Sequence, residues 1–230
     1  MKLYIGNKLY SSWSLRPWLA MRATDIAFDE VLIPFNDADF KARALEVSGT
    51  GLVPTLVDGE ITVWESLSIL EYVAEVFPEK QLWPEERAAR AHARSVSSEL
   101  HAGFGALRSA CPMNLGKRFA RRDRGAEVAG DALRITGIWR EARERFGKGA
   151  GGPFLYGRFT AADAMYAPIV TRLDTYDFEV DGEARAYMDA VLGRDAFQAW
   201  LAAALEEEWI VAEDEVDEPA LVNLRPHLGN

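Results

Sequence analysis

A proline inside an apolar run, at Val53-Pro54, limits the structures that this part of the chain can adopt. Proline has no amide hydrogen and keeps the residue before it extended, so a strand that follows begins at the proline or lies at a sheet edge. Thr55-Leu56-Val57 and Ile61–Trp64 are strand-like, and the Asp58-Gly59 pair between them is a strong hairpin signal. If the Val53-Pro54 bond is cis, the amide and carbonyl of Val53 turn away from the sheet and can pair with an extended peptide.

A helix is expected to begin where the hairpin ends. Apolar residues recur there at helical spacing, at Leu67, Leu70, Val73 and Phe77. Glu65-Ser66 stands in front of them, so a carboxylate and a hydroxyl lie beside the free backbone amides of a helix N-terminus. An ordinary hairpin followed by a capped helix has the same spacing, so spacing alone does not assign a ligand to this pair.

The pattern before the hairpin alternates strands with helices, at residues 2–5, 15–22, 28–32 and 39–47. Pro17 fits the first helix only within its first turn. Parallel pairing through the helical crossovers, together with the antiparallel hairpin, predicts a thioredoxin-like α/β domain over residues 1–79.

Beyond a linker at Pro78–Pro84 the pattern is helical almost throughout, which predicts an all-helical domain over residues 85–230. Its helices are expected near residues 85–109, 122–146, 161–176, 183–192 and 195–207. Thr160 and Asp163 have the spacing of a capping box at the start of the third helix, which we interpret as structural.

Composition excludes several classes of function. The 230 residues carry a net charge of −10, which argues against general nucleic-acid binding. No apolar run approaches the ~20 residues of a membrane span, and Met1–Ile5 leads into a strand pattern without the apolar core of a signal peptide. One cysteine, Cys111, excludes an internal disulfide and fits a reducing cytoplasm. Three histidines and one cysteine give no metal-ligand spacing, so no metal is expected.

Three serines lie between the first strand and the first helix, in the loop Tyr10-Ser11-Ser12-Trp13-Ser14-Leu15-Arg16. A helix N-terminus and a hydroxyl donor can stabilise a thiolate and lower a thiol pKa from its reference of about 8.5. Serine can donate that hydrogen bond without becoming a nucleophile. Alternatively, the serines cap the helix, and Ser12 and Ser14 lie closest to its predicted start.

The proline, the hairpin and the Glu-Ser pair together resemble the glutathione-binding half of the glutathione transferase family, and the two-domain arrangement is similar to that family over nearly the whole chain. The resemblance implies the glutathione transferase fold, glutathione as cofactor and a homodimer. It also implies that Val53, before a cis Pro54, pairs with the cysteinyl backbone of glutathione. Glu65 and Ser66 would hold the γ-glutamyl group.

The serine loop resembles the zeta-type motif Ser-Ser-Cys-Ser-aromatic-Arg, which Ser11, Ser12, Ser14 and Arg16 match in place. The resemblance implies that Ser11 is the catalytic serine and that Ser12 lies with it in the glutathione site. Trp13 replaces the motif's cysteine and Leu15 its aromatic residue. The tryptophan removes the thiol implicated in cis–trans isomerisation, which argues against maleylacetoacetate isomerase activity.

The second-substrate site is expected on the first helix of the helical domain, which faces the glutathione site in this family. His101, Phe104 and Arg108 share roughly one helical face by their three- and four-residue spacing. They are expected to line a pocket for a small electrophile. An equally supported alternative is that Phe104 belongs to the core and that His101 and Arg108 lie at the surface or an interface. This segment resembles a bacterial branch of the family, which implies no particular substrate.

Three charged runs are expected at the surface. The basic run Lys117–Arg124 is a solvated face or guides anionic substrates to a neighbouring cleft. The run Glu206-Glu207-Glu208 and the acid-rich stretch 213–218 are expected to face solvent.

Three functions remain open. The first is a glutathione transferase that activates the glutathione thiolate for attack on a small electrophile. The second is a glutathione-dependent cis–trans isomerase of the maleylacetoacetate type. The third is a non-enzymatic binding module with the transferase fold.

Overall fold

A computed structural model of the chain describes residues 1–225. Its first part alternates strands and helices in the predicted order. The elements are β1 (Lys2–Ile5), α1 (Ser12–Ala23), β2 (Asp29–Leu32), α2 (Phe40–Val47), β3 (Thr55–Asp58), β4 (Ile61–Trp64) and α3 (Ser66–Val76).

The four strands form one sheet in the order β2-β1-β3-β4. β1 is parallel to β2 and antiparallel to β3, with Leu3 opposite both Glu30 and Leu56. β3 and β4 form the antiparallel hairpin. Because Asp58 pairs with Ile61, the hairpin loop consists of Gly59 and Glu60, and glycine supplies the positive φ of +60° that this turn needs. The sheet confirms the thioredoxin-like fold.

A short 3₁₀ turn at Pro78–Lys80 leads into the second part of the chain, which is mainly helical. Its helices are α4 (Arg87–Ala102), α5 (Gly105–Ala110), α6 (Ala126–Ala142), α7 (Lys148–Ala150), α8 (Ala161–Thr175), α9 (Gly182–Leu192) and α10 (Asp195–Leu205). Two strands, β5 (Lys117–Phe119) and β6 (Ala220–Asn223), pair antiparallel in a second sheet. A π-helical turn at Arg143–Gly147 connects α6 to α7.

Helix α8 forms the centre of the helical part. Every residue in it except Asp174 is buried, and α1 packs against it. The predicted capping box is confirmed at its start, where the Asp163 carboxylate accepts hydrogen bonds from the amide and hydroxyl of Thr160, both at 2.8 Å, and from the amide of Leu155 at 3.0 Å. The contact between α8 and α1 positions the helical part beside the serine loop.

Two helix predictions need correction. Helix α1 begins at Ser12, so Pro17 is its sixth residue and does not lie in its first turn. The single helix predicted near 85–109 is two helices, because the chain leaves α4 at Gly103 and Phe104 adopts a left-handed φ of +57° before α5.

The expectation that the two acidic stretches face solvent is wrong in part, because Glu207 is buried and, within residues 213–218, only Glu213 and Asp217 are exposed. Glu215 accepts hydrogen bonds from the Tyr10 hydroxyl and from Lys117, both at 2.7 Å. Glu218 pairs with Arg124 at 2.7 Å. These contacts accompany the pairing of β5 with β6, which takes part of the basic run into a strand. None of the helices over residues 1–225 is long and apolar enough to cross a membrane.

Candidate functional site

A cleft of about 680 Å³ lies between the serine loop, the start of β3 and the helical part. It contains seven of the nine residues that the sequence analysis assigned to a site. These are Ser11, Ser12, Val53, Pro54, Glu65, His101 and Arg108. Ser66 and Phe104 lie outside the cleft lining.

Ser11 is the N-cap of α1, which corrects the expectation that Ser12 or Ser14 caps this helix. The Ser11 Oγ accepts a hydrogen bond from the Ser14 amide at 3.3 Å and donates to the Ser14 Oγ at 2.8 Å. The fully buried Ser14 Oγ also accepts from the amide of Gly6 at 3.1 Å. Ser14 therefore ties the loop to the end of β1, and Ser11 presents its hydroxyl at the helix N-terminus, where partial positive charge favours an anion.

Ser12 is held from the opposite side of the cleft. Its Oγ accepts a hydrogen bond at 3.3 Å from the Nη2 of Arg172, a residue of α8. The same guanidinium donates to the carbonyl oxygens of Cys111 and Pro168. Because the Ser12 hydroxyl acts as an acceptor here, its own hydrogen remains available to a group in the cleft.

The Val53–Pro54 bond is cis. The registered pairs of β3 begin at Thr55, so the half-buried Val53 lies outside the ladder and borders the cleft. This is the placement expected for a residue whose main chain pairs with a bound peptide.

Glu65 precedes α3 with a φ of +66°, an uncommon conformation for a residue other than glycine. Its carboxylate lies 3.4 Å from the Nε2 of His101, across the cleft. Ser66 is fully buried, and its Oγ accepts a hydrogen bond from the Nη1 of Arg16 at 3.2 Å. The Ser66 hydroxyl therefore faces Arg16, so a direct contact between this hydroxyl and a ligand stays a prediction.

Trp13 lies between two arginines. The Arg16 guanidinium is 4.1 Å from the centre of its ring and that of Arg108 is 4.7 Å from it. His101 meets the same ring edge-on, with 5.1 Å between centroids. Burial and then the charge of Arg16 lower the pKa of His101, so a neutral imidazole is favoured beside these cations.

The predicted helical face of His101, Phe104 and Arg108 is divided by the break between α4 and α5. His101 lies in the last turn of α4 and Arg108 in α5, and both border the cleft. Phe104 is 8% exposed and belongs to the hydrophobic core. Phe104 is thus a core residue, as the alternative interpretation of this segment expected.

Several residues of the cleft had no assigned role in the sequence analysis, among them Arg172, Asp214 and Trp64. Arg172 carried a signal, since it is an arginine within the mainly apolar segment that forms α8. Asp214 and Trp64 border the cleft without any local pattern that would mark them. Cys111 is fully buried, and burial raises the pKa of its thiol to about 11, so it does not supply a thiolate near neutral pH.

Two family models match the chain. One is the N-terminal domain of glutathione S-transferase, over residues 10–76, and the other is its C-terminal domain, over residues 90–203.

Curated relatives match over shorter stretches. The chain is similar to a probable maleylacetoacetate isomerase of Caenorhabditis elegans, at 34% identity over 103 residues, which cover 44% of this chain and 47% of the relative. It is also similar to a zeta-class glutathione S-transferase of Euphorbia esula, at 31% identity over 84 residues, 36% of this chain and 37% of the relative. The matched stretch is thus less than half the length of each of these relatives.

Among solved structures, the chain is similar to a glutathione transferase homologue from Burkholderia with bound glutathione. The TM-score is 0.65 at 22% identity, over 90% of this chain and 98% of that one, and the likeness shows a common fold. Since the two family models together cover most of the chain, and the fold of a solved transferase extends over nearly all of it, this chain belongs to the glutathione S-transferase family.

Proposed function

We propose that this protein is a glutathione transferase that binds glutathione in the cleft and activates its thiol for attack on a small electrophile. The observation that carries the proposal is the placement of Ser11 and Ser12, at the N-terminus of α1, in one cleft with Val53 and Glu65. Donors for a thiolate and partners for a peptide backbone thus border the same space.

The described residues fit glutathione group by group. The main chain of Val53 lies outside the sheet ladder, where it would pair with the cysteinyl backbone. The Glu65 carboxylate would accept from the γ-glutamyl ammonium group, with Ser66 at the adjoining helix start.

Glutathione supplies the nucleophilic sulfur when bound. Ser11 would donate its hydroxyl hydrogen to that sulfur, since a hydroxyl rotates and can leave Ser14 for a stronger, charged acceptor. The N-terminus of α1 adds partial positive charge at the same place. Both effects favour the thiolate over the thiol at neutral pH.

A glutathione-dependent isomerase is the second candidate, because relatives named maleylacetoacetate isomerase match part of the chain. Trp13, between Arg16 and Arg108, occupies the position of the zeta-type cysteine and brings no thiol. Transfer to an electrophile therefore ranks first. A binding module that has lost glutathione ranks third, since the predicted glutathione contacts other than Ser66 border one cleft.

Two further properties are part of the proposal. The family resemblance supports a homodimer. The single buried cysteine supports a location in the reducing cytoplasm, where conjugation would serve detoxification.

The test combines binding with turnover. Calorimetric titration with glutathione and retention on immobilised glutathione should both show binding, and the protein should conjugate a neutral aryl halide faster than it isomerises maleylacetoacetate. Binding without either reaction would favour the module. The absence of glutathione binding would refute the proposal.

A further inference from the structure

Three arginines meet at the cleft of this acidic protein without a carboxylate partner. Arg108 and Arg172 border the cleft, and Arg16 lies behind Trp13. Over residues 1–225 none of the three forms an ion pair, although the chain as a whole carries a net charge of −10. Other arginines, such as Arg158 and Arg194, also form no ion pair among residues 1–225, so the distinguishing feature of this group is that three cations lie close enough to lower one another's pKa.

Burial makes the unpaired charges costly. Arg16 is 1% exposed and Arg172 is 5% exposed. Burial, and then the neighbouring arginines, lower the pKa of Arg16 to about 9 and that of Arg172 to about 10. The net lowering shows that Glu65, near Arg16, and Asp214, near Arg172, do not fully offset the burial of these cations, and an anion in the cleft would add to that compensation.

The two carboxylates that face the cleft do not neutralise the cluster. Glu65 lies against His101. Burial raises the pKa of Asp214 to about 6, although the charge of Arg172 opposes that shift, so Asp214 is still mainly ionised at neutral pH. Three guanidinium cations thus face two carboxylates, and the cluster keeps a small net positive charge at neutral pH.

Two members of the cluster come from the helical part of the chain, Arg108 on α5 and Arg172 on α8. The predicted contacts to the glutathione backbone come instead from Val53, just before β3, and from the start of α3. Arg172 reaches Ser12, and Arg108 lies over the ring of Trp13, the residue after Ser12. Arg108 donates one hydrogen bond among the described residues, to the carbonyl of Gly103 at 3.3 Å, so most of its five N–H donors are available.

We propose that the second substrate is an electrophile that carries a carboxylate, which Arg108 binds while Arg172 adds positive charge from α8. The inference rests on the proposed transferase function and specifies the substrate class of the same cleft. A planar guanidinium that is fixed on an aromatic ring suits bidentate binding of a carboxylate.

A matched pair of electrophiles tests the charge preference. These are neutral 1-chloro-2,4-dinitrobenzene and anionic 4-chloro-3,5-dinitrobenzoate. In both reactions the thiolate sulfur forms a bond to the ring carbon, chloride leaves with its bonding electrons, and the proton of the thiol passes to solvent. Each kcat/KM is divided by the rate constant of the spontaneous reaction with glutathione, which removes the difference in intrinsic reactivity.

The wild type should favour the anionic electrophile by about tenfold or more, the effect of one charge-assisted hydrogen bond. Arg108→Gln should bring the corrected ratio close to one, and Arg108→Lys should retain part of the preference. Arg121→Gln removes an exposed arginine that is paired with Asp177 and Glu179, and it should leave the ratio as in the wild type. Added salt should reduce the preference.

Binding of an inert pair keeps the test independent of turnover. Calorimetry should show tighter binding of 4-nitrobenzoate than of 4-nitrobenzamide to the wild type, and equal binding to Arg108→Gln. If neither assay shows a preference for the anionic compound, the inference is overturned. The transferase function still stands in that case if the neutral electrophile reacts. Equal losses for both electrophiles, together with weaker glutathione binding in Arg108→Gln, would assign Arg108 to glutathione and also overturn it. Failure of glutathione binding in the wild type would instead refute the proposed function.

Discussion

Replacement of Ser11 by alanine should raise the pKa of the bound glutathione thiol. A hydrogen bond to a charged group contributes about 1.5–3 kcal/mol, and one pKa unit corresponds to about 1.36 kcal/mol. Loss of the Ser11 donor should therefore raise the thiol pKa by about one to two units. The assay is a pH titration of the ultraviolet absorbance of the enzyme-bound thiolate.

The same substitution removes the N-cap of α1. The Ser14 amide loses the acceptor that it reaches at 3.3 Å, and loss of such a cap costs about 0.5–2 kcal/mol in the free energy of unfolding. Urea denaturation separates this cost from the effect on the thiol. Ser95→Ala is a matched control, because Ser95 is an exposed serine whose hydroxyl, within residues 1–225, bonds only to the Ala91 carbonyl of its own helix, and it should change neither quantity appreciably.

Ser12→Ala discriminates between the two cleft serines. If it raises the thiol pKa and Ser11→Ala does not, the donor is the serine that Arg172 holds, and the family assignment is displaced by one residue. If neither variant changes the thiol pKa, backbone amides at the start of α1 stabilise the thiolate and the serine hypothesis is refuted.

Three further predictions concern affinity, pH and assembly. Glu65→Ala should weaken glutathione binding by about 1.5–3 kcal/mol in calorimetry, through loss of a charge-assisted contact, and unchanged affinity would remove Glu65 from the site. Burial raises the pKa of Asp163 to about 6, so the folded chain binds this proton more tightly than the unfolded chain does. The contribution of this proton to the free energy of unfolding is therefore complete below about pH 4, and it falls by roughly 3 kcal/mol as the pH rises through 6. Urea unfolding should detect this pH dependence in the wild type and not in Asp163→Asn. Light scattering should give the mass of a homodimer, and the monomer mass of 25.6 kDa at micromolar concentration would contradict it.

The α/β part was predictable from sequence because its signals are local. Proline chemistry, β-branched runs and the turn at Asp58-Gly59 each act within a few residues, and they gave the correct order of strands and helices. The break between α4 and α5 was not predictable from sequence, because Phe104 adopts a left-handed conformation that is typical mainly of glycine. Tertiary packing, not propensity, determines the backbone there.

The missed features of the site depend on contacts between distant residues. β5 pairs with β6 across about 100 residues, and neither short strand has a pattern of its own. Ser12 and Arg172 are 160 positions apart. Sequence motifs indicated which residues have the chemistry for a glutathione site, but only the fold reveals that Arg172 reaches the serine loop and that Phe104 does not reach the cleft.

The loop before Ser11 is supported by residues that lie about 200 positions later. The Glu207 carboxylate accepts from the amides of Lys8 and Leu9, and Arg225 reaches the Tyr10 hydroxyl at 3.3 Å. During synthesis the thioredoxin-like part emerges first, but the support of its serine loop is complete only after residue 225 has been added. Recombination that joined residues 1–79 to the helical domain of another transferase would transfer the whole serine motif and lose these supporting contacts. The two domains of this protein are therefore expected to be inherited together.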